Sequence, residues 1–265
     1  MNKLKLSTII LSLVTALLCS PSTLLFSQAI SGYIRYEEKV DVHKMLAAQM
    51  AGNPQMATQM ASLKAQIDQY SSNMIRLYFN PSESLYKSYF EDRPNSMPGM
   101  SGSAMRMTVN MGTNNNQYYT NSDLMISQLD FLGQLYLISD TIKMAQWKFG
   151  EGTRNILGYE CNLAYYTDTT NPDKPLEVTA WYTPKIRAFV GPERYNTLPG
   201  GILALDINSG ERYWVARKIE LRDLTAEEKI EKPAESKKTK QVTYQDYLNL
   251  QKEREKKIKA QSGGR

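Results

Sequence analysis

The chain has 265 residues, with 32 basic and 27 acidic side chains, one histidine and two cysteines. That length fits one domain with a full-sized core. So few histidines and cysteines exclude a His- or Cys-rich metal centre and a disulfide-stapled scaffold.

Residues 1–29 carry Lys3 and Lys5, an apolar run from Ile9 to Leu18, and the small-x-small sequence Ser27-Gln28-Ala29. This is expected to be a secretory signal peptide, because the run is shorter than the roughly 20 residues of a membrane span. Cys19 follows Leu18, whereas lipid attachment wants a small residue before the cysteine. Nothing later in the chain is long and apolar enough to cross a membrane. Removal of the segment leaves Cys161 as the sole cysteine, expected to be buried as a small hydrophobe rather than to act as a nucleophile. Of the charged residues, 11 basic and 7 acidic lie in 226–265, so the excess positive charge belongs to the tail and marks no site in the fold.

From Ile30 a single β-rich domain is expected to run to Thr225. Residues 31–40 alternate Tyr33, Arg35 and Glu37 against Ile34, Tyr36 and Glu38, the pattern of a first strand with one partly wet face. Residues 41–72 change to a helical insertion, broken at Gly52-Asn53-Pro54, with Met56, Met60, Leu63, Ile67 and Tyr70 at helical spacing. It is read as a helix laid on a sheet, with a Met-rich contact surface as the functional alternative. Strands are expected over 74–80 and 84–91. The segment 92–116 is rich in Met, Gly and Asn and is read as a loop. Its five methionines would suit a soft metal such as Cu(I), but no His or Cys accompanies them.

Further strands are expected over 117–121, 134–139, 144–149, 161–168 and 176–183, with turns at Gly150 to Gly152 and at Leu157-Gly158. Strands without intervening helices imply antiparallel pairing. Pro199 and Gly200 are expected to form a type II turn with Gly200 at positive φ, feeding strand 202–208. Asn208-Ser209-Gly210 then closes a hairpin to strand 212–221. Residues 226–240, charged and interrupted by Pro233, read as a linker or disordered stretch. A basic C-terminal helix follows over 243–260, with Thr243 and Asp246 spaced as a cap, and offers a peripheral membrane or polyanion contact. The expected fold is therefore mainly β: a large curved antiparallel sheet with a helical insertion after its first strand and a C-terminal helix.

No sequence motif carries chemistry. There is no phosphate loop, dinucleotide fingerprint or CxxC, and His43 sits among polar neighbours, so no cofactor is expected. Nucleic-acid recognition would need basic residues clustered with the 17 tyrosines, and in the sequence they are not clustered. Trp147, Tyr165, Tyr166, Trp181, Tyr182 and Trp214 are the candidates for an aromatic ligand groove.

Trp147, Gly158-Tyr159-Glu160-Cys161, Trp181-Tyr182-Thr183, Gly191-Pro192, Tyr195 and the run Leu198, Pro199, Gly200, Gly201, Ile202, Leu203 resemble the GLPGLI family, exported proteins of Bacteroidetes-type bacteria. Thr197 stands where that family has Gly, and Gly201 where it has Leu. The resemblance implies a β-rich protein of the cell envelope, in the periplasm or associated with the outer membrane. It transfers no catalytic or ligand residue. The leading functional expectation is a non-enzymatic protein that binds an apolar ligand or an envelope protein partner. The alternatives are a structural interaction module without a small ligand and a hydrolase using carboxylates distant in sequence.

Overall fold

The computed structural model describes residues 31–50, 62, 64–89 and 116–262. The expected signal peptide and nearly all of the Met-rich loop lie outside these residues, as does most of the Met-rich helical stripe. Twelve strands form one sheet. They are β1 (Gly32–Asp41), β2 (Tyr70–Phe79), β3 (Ser84–Ser88), β4 (Gln117–Thr120), β5 (Leu124–Phe131), β6 (Gln134–Thr141), β7 (Lys148–Ile156), β8 (Tyr159–Asp168), β9 (Leu176–Thr183), β10 (Gly201–Ile207), β11 (Arg212–Glu220) and β12 (Thr239–Gln241). Helix α1 (Val42–Met50) follows β1, and helix α2 (Tyr244–Ser262) follows β12.

The order across the sheet is β12-β6-β5-β4-β3-β2-β1-β11-β10-β9-β8-β7. Two meanders, β1 to β6 and β7 to β11, are joined where β1 pairs with β11. All pairings are antiparallel except β12 with β6. The sheet must curl. Ten strand steps separate β6 from β7, about 48 Å if flat. The connection 142–147 can span only about 25 Å when fully extended. The edges are therefore drawn toward each other, without closing.

The β-rich class, the antiparallel pairing and the C-terminal helix agree with the sequence reading, and several boundaries do not. Tyr70 is the first residue of β2, not the end of a helical stripe, because the β1–β2 ladder runs unbroken from Gly32↔Phe79 to Asp41↔Tyr70. Strand β5 was not expected. Its signal is the two-residue turn Leu132-Gly133, both at positive φ, with Asp130 Oδ1 accepting from Gly133 N at 2.9 Å. The same device, Asn155 with Leu157-Gly158, closes β7 to β8. Gly150 to Gly152 is not a turn but a bulge within β7, with Leu163 and Trp181 lying over the space the missing side chains leave. The strand expected at 144–149 starts only at Lys148.

Each face is covered in part. On the outer face of β3–β6, Leu85, Tyr119, Ile126 and Leu137 form a small cluster against which Ile230 packs. Pro233 is buried, and Thr239–Gln241 add the edge strand. The charged segment expected to be a linker thus covers apolar surface. Helix α2 starts at the expected Thr243–Asp246 cap, Asp246 N donating to Thr243 Oγ1 at 3.1 Å. It turns Tyr247 onto Phe131 and Tyr136 of the inner face. The helix flank is pinned by Lys252 to Asp173.

The inner face is filled by the β9–β10 connection, residues 184–200. Ile186, Val190, Tyr195 and Leu198 are buried there. Arg187 donates to the Asn80 and Glu83 carbonyls, both at 2.6 Å, and Asn196 Nδ2 donates to Thr120 Oγ1 at 3.0 Å. The segment therefore reaches across to the β2–β3 turn and β4. Gly200 does not have positive φ. Its requirement is close approach: a Cβ would lie 2.3 Å from Thr183 O. Gly201 leaves room for Ile186, whose carbonyl accepts from Gly201 N at 3.1 Å.

Gly200→Ala is expected to destabilise by about 2–3 kcal/mol, since the obstacle is backbone and cannot swing away. Gly133→Ala meets nothing within 4 Å and carries only the left-handed penalty, about 1 kcal/mol. Urea denaturation of both variants checks the ranking.

Candidate functional site

Under the inner-face plug lies a cluster of buried charge. On β1, Glu38 is in phase with Ile34 and Tyr36 and so points inward, where it is fully buried. On β11, Arg212 is in phase with Trp214, which sits opposite Glu38. Arg212 Nε donates to Glu38 Oε1 at 2.5 Å, Nη1 donates to Glu193 Oε2 at 3.2 Å, and Nη2 bonds Glu193 Oε1. The guanidinium lies 4.3 Å over the Trp214 ring. Glu193 belongs to the plug and has φ 50, a left-handed conformation rare for a side-chain-bearing residue.

The next residue extends the clamp. Arg194 pairs with Asp168 at the end of β8 and lies 4.9 Å over the Tyr244 ring of α2. Asp168 Oδ1 also accepts from Thr170 Oγ1 at 2.6 Å. Glu193-Arg194 thus ties one loop to β1, β11, β8 and α2 by adjacent charges of opposite sign.

Burial raises the Glu193 carboxyl above the usual carboxylate range, against the pull of Arg212. Burial and the nearby Glu38 and Glu193 charges push Tyr86 well up. Arg212 has every nitrogen engaged, and both carboxylates are spent on it. The arrangement holds segments together and presents no unengaged base or nucleophile. Cys161 is fully buried and its thiol is pushed up to about 11, so it is no thiolate at neutral pH. His43 Nε2 is 3.0 Å from the Ile67 carbonyl. Among the described residues, no group of three or more His, Cys, Asp or Glu could hold a metal.

The six aromatic candidates do not share one groove. Alternation along β8 and β9 puts Tyr166 and Tyr182 on one face and Tyr165 and Trp181 on the other. Trp147 stacks edge-on with Tyr166 at 4.4 Å and donates to Thr197 Oγ1 at 3.0 Å. Thr197, where the resembled family has Gly, is thus the latch for the 142–147 connection. Trp214 is fully buried, its Nε1 donating to Tyr86 OH at 2.8 Å. Gly158 turns at φ 85, Gly191-Pro192 start the tight turn that Tyr195 N closes onto Pro192 O at 3.0 Å, and Ile202 and Leu203 are fully buried. An open cleft of about 650 Å³ lies elsewhere, lined by Ile126, Leu137, Pro233, Gln241, Val242 and Asp246 among others.

Sequence reasoning missed the charge cluster, although it places Glu38 in phase with Ile34 and Tyr36. A charged residue in the apolar phase of a strand is the signal that could have found it. Partners 174 residues apart could not be paired from sequence.

Among known proteins, a family described as a protein of unknown function (Porph_ging) matches residues 167–204, which include the whole inner-face plug. No curated protein matches the chain. Among solved structures, PNGF-II in one crystal form is 12% identical with a TM-score of 0.48, over 84% of this chain and 33% of that one. In a second crystal form it is 13% identical with a TM-score of 0.47, over 84% and 32%. An uncharacterized conserved protein from Thermus thermophilus is 6% identical with a TM-score of 0.35, over 81% and 91%. The chain thus spans about a third of the PNGF-II chains, and likeness at this level assigns no activity.

Arg212→Met should cost about 3–5 kcal/mol at neutral pH, because it leaves Glu38 and Glu193 buried without their cation. The Glu193 carboxyl, already raised by burial, loses the opposing pull of Arg212 and is raised further above its unfolded value. The folded variant then binds more protons than its unfolded chain, and the deficit relative to the parent shrinks as pH falls. Urea melts at about pH 7 and about pH 5 measure this, with a larger gap expected at the higher pH.

Proposed function

We propose that the chain is a non-enzymatic, exported envelope protein of the GLPGLI type that docks a protein partner along its β7 edge. Support for the family comes from 197-TLPGGIL-203 lying within the matched segment. Support for export comes from the N-terminal sequence. Among the described residues, no helix is long and apolar enough to cross a membrane.

The observation that carries the docking reading is the character of β7. It is a nine-residue edge strand with neighbours on one side only. Phe149, on the inner-face side of β7, is 61% exposed, and Tyr165, on the opposite face of the adjacent strand, 44%, with Met144 and Leu157 also exposed, so apolar side chains flank the edge on both faces. Long edges with uncovered apolar side chains invite strand addition or apolar docking. A carrier of apolar molecules would need an enclosed apolar cavity, whereas residues 184–200 fill the inner-face concavity and the cleft between the outer face and the tail is open and lined in part by Asp246 and Gln241. The buried carboxylates Glu38 and Glu193 are both bound to Arg212, which argues against hydrolytic use.

A photo-cross-linking residue placed at Phe149 in the native envelope, and separately at Tyr165 on the opposite face, should give the same dominant protein adduct, because a strand added to the β7 edge presents side chains to both faces. Co-purified lipid with no protein adduct would support apolar-ligand carriage instead.

A further inference from the structure

The outer face of the sheet holds a feature that the sequence hides. The register places Lys218 of β11, Arg35 of β1, Arg76 of β2 and Lys87 of β3 directly opposite one another in turn. Four cations therefore form one line across four adjacent strands, about 4.8 Å apart at the backbone. Gln117 of β4 and Gln128 of β5 continue the same line. Like charges placed opposite each other in a sheet oppose folding. A row of four is not what packing alone would select.

The row is built rather than loose. Arg76 lies 3.5 Å over the Tyr89 ring and 4.9 Å over the Tyr33 ring, and donates to Tyr78 OH at 3.1 Å. Its Nε is buried without a hydrogen-bond partner among the described residues. Lys87 lies 5.4 Å over Tyr78, and Lys218 5.9 Å over Tyr33. Among the described residues, Arg76 and Lys87 are thus held by tyrosines, whereas Lys218 also pairs with Glu220. The parallel row beside it, Tyr33, Tyr78, Leu85, Tyr119 and Ile126, is the one approached by the tail, through Arg222 over Tyr33 and Ile230 on Leu85 and its neighbours. The tail therefore runs alongside the line of cations and flanks it.

We propose that this row binds an acidic polysaccharide laid across the strands. A linear polyuronate carries carboxylates in a line, which this line of cations matches, guanidinium or ammonium to carboxylate. The two glutamine amides at its end offer donors and acceptors to sugar hydroxyls. Single-stranded nucleic acid would need open aromatic faces for stacking, and Tyr33 and Tyr78 are each 5% exposed beneath the cations. A membrane surface would be met by projecting lysines on an amphipathic face, whereas Arg35, Arg76 and Lys87 are half-buried.

Titration of the purified chain with an oligogalacturonate tests the proposal. Binding is expected, falling steeply with added salt, with none to neutral dextran. Arg76→Gln with Lys87→Gln should weaken it at least tenfold. Lys252→Gln with Lys256→Gln, which removes equal charge from α2, should leave it unchanged, and Arg76→Lys should largely retain it. Lys87→Gln alone, which disturbs fewer contacts, should weaken binding severalfold if the double variant does not fold. Equal loss in the α2 control would overturn the proposal, as would no binding, or equally tight and equally Arg76-dependent binding of anionic vesicles or oligothymidylate.

Discussion

One guanidinium holds the assembly in place. Arg212 gathers Glu38 from the first strand and Glu193 from the plug, with its cationic face over Trp214. These elements come from the two meanders and from the loop that covers them. Glu38 is fully buried and Glu193 nearly so, so each carboxylate needs the cation to be tolerable at all. The pairing also fixes position: a bidentate contact to Glu193 sets where the plug sits on the sheet.

From that anchor the remaining packing follows. With Glu193 held, Arg194 reaches Asp168 and the Tyr244 ring, which seats α2 on the inner face. The curl of the sheet brings strands far apart in order close enough to share this filling. Trp214 of β11 donates to Tyr86 of β3 with two strands between them. A short β6–β7 connection, latched by Thr197, holds the edges toward each other. A filled concavity follows, and with it a protein whose available surfaces are its edge and its outer face rather than an interior.

Much of the fold is legible along the chain. Alternation in 31–40 and aromatic content in 176–183 mark strands because a half-buried sheet imposes period two. Asn208-Ser209-Gly210 is a hairpin because three residues at positive φ tolerate few sequences. The helix boundary at Tyr70 misleads because the preceding Met-rich spacing continues smoothly into a segment that pairing with β1 claims. Segment 226–241 misleads because composition reports average polarity, whereas Ile230 and Pro233, two residues in a charged run, suffice to cover the Leu85 cluster.

Local sequence suffices for the class of structure, a strand-rich chain with no metal or cofactor motif, and for the residue types of its turns. It also marks Leu-Pro-Gly at 198–200 as constrained, without saying how. Packing in three dimensions supplies the reason, a carbonyl of Thr183 where a side chain would stand. Packing likewise decides which charges meet. Glu38 with Arg212, and Lys218, Arg35, Arg76 and Lys87 in a row, are products of strand register, and register is set by long-range pairing that local composition does not encode.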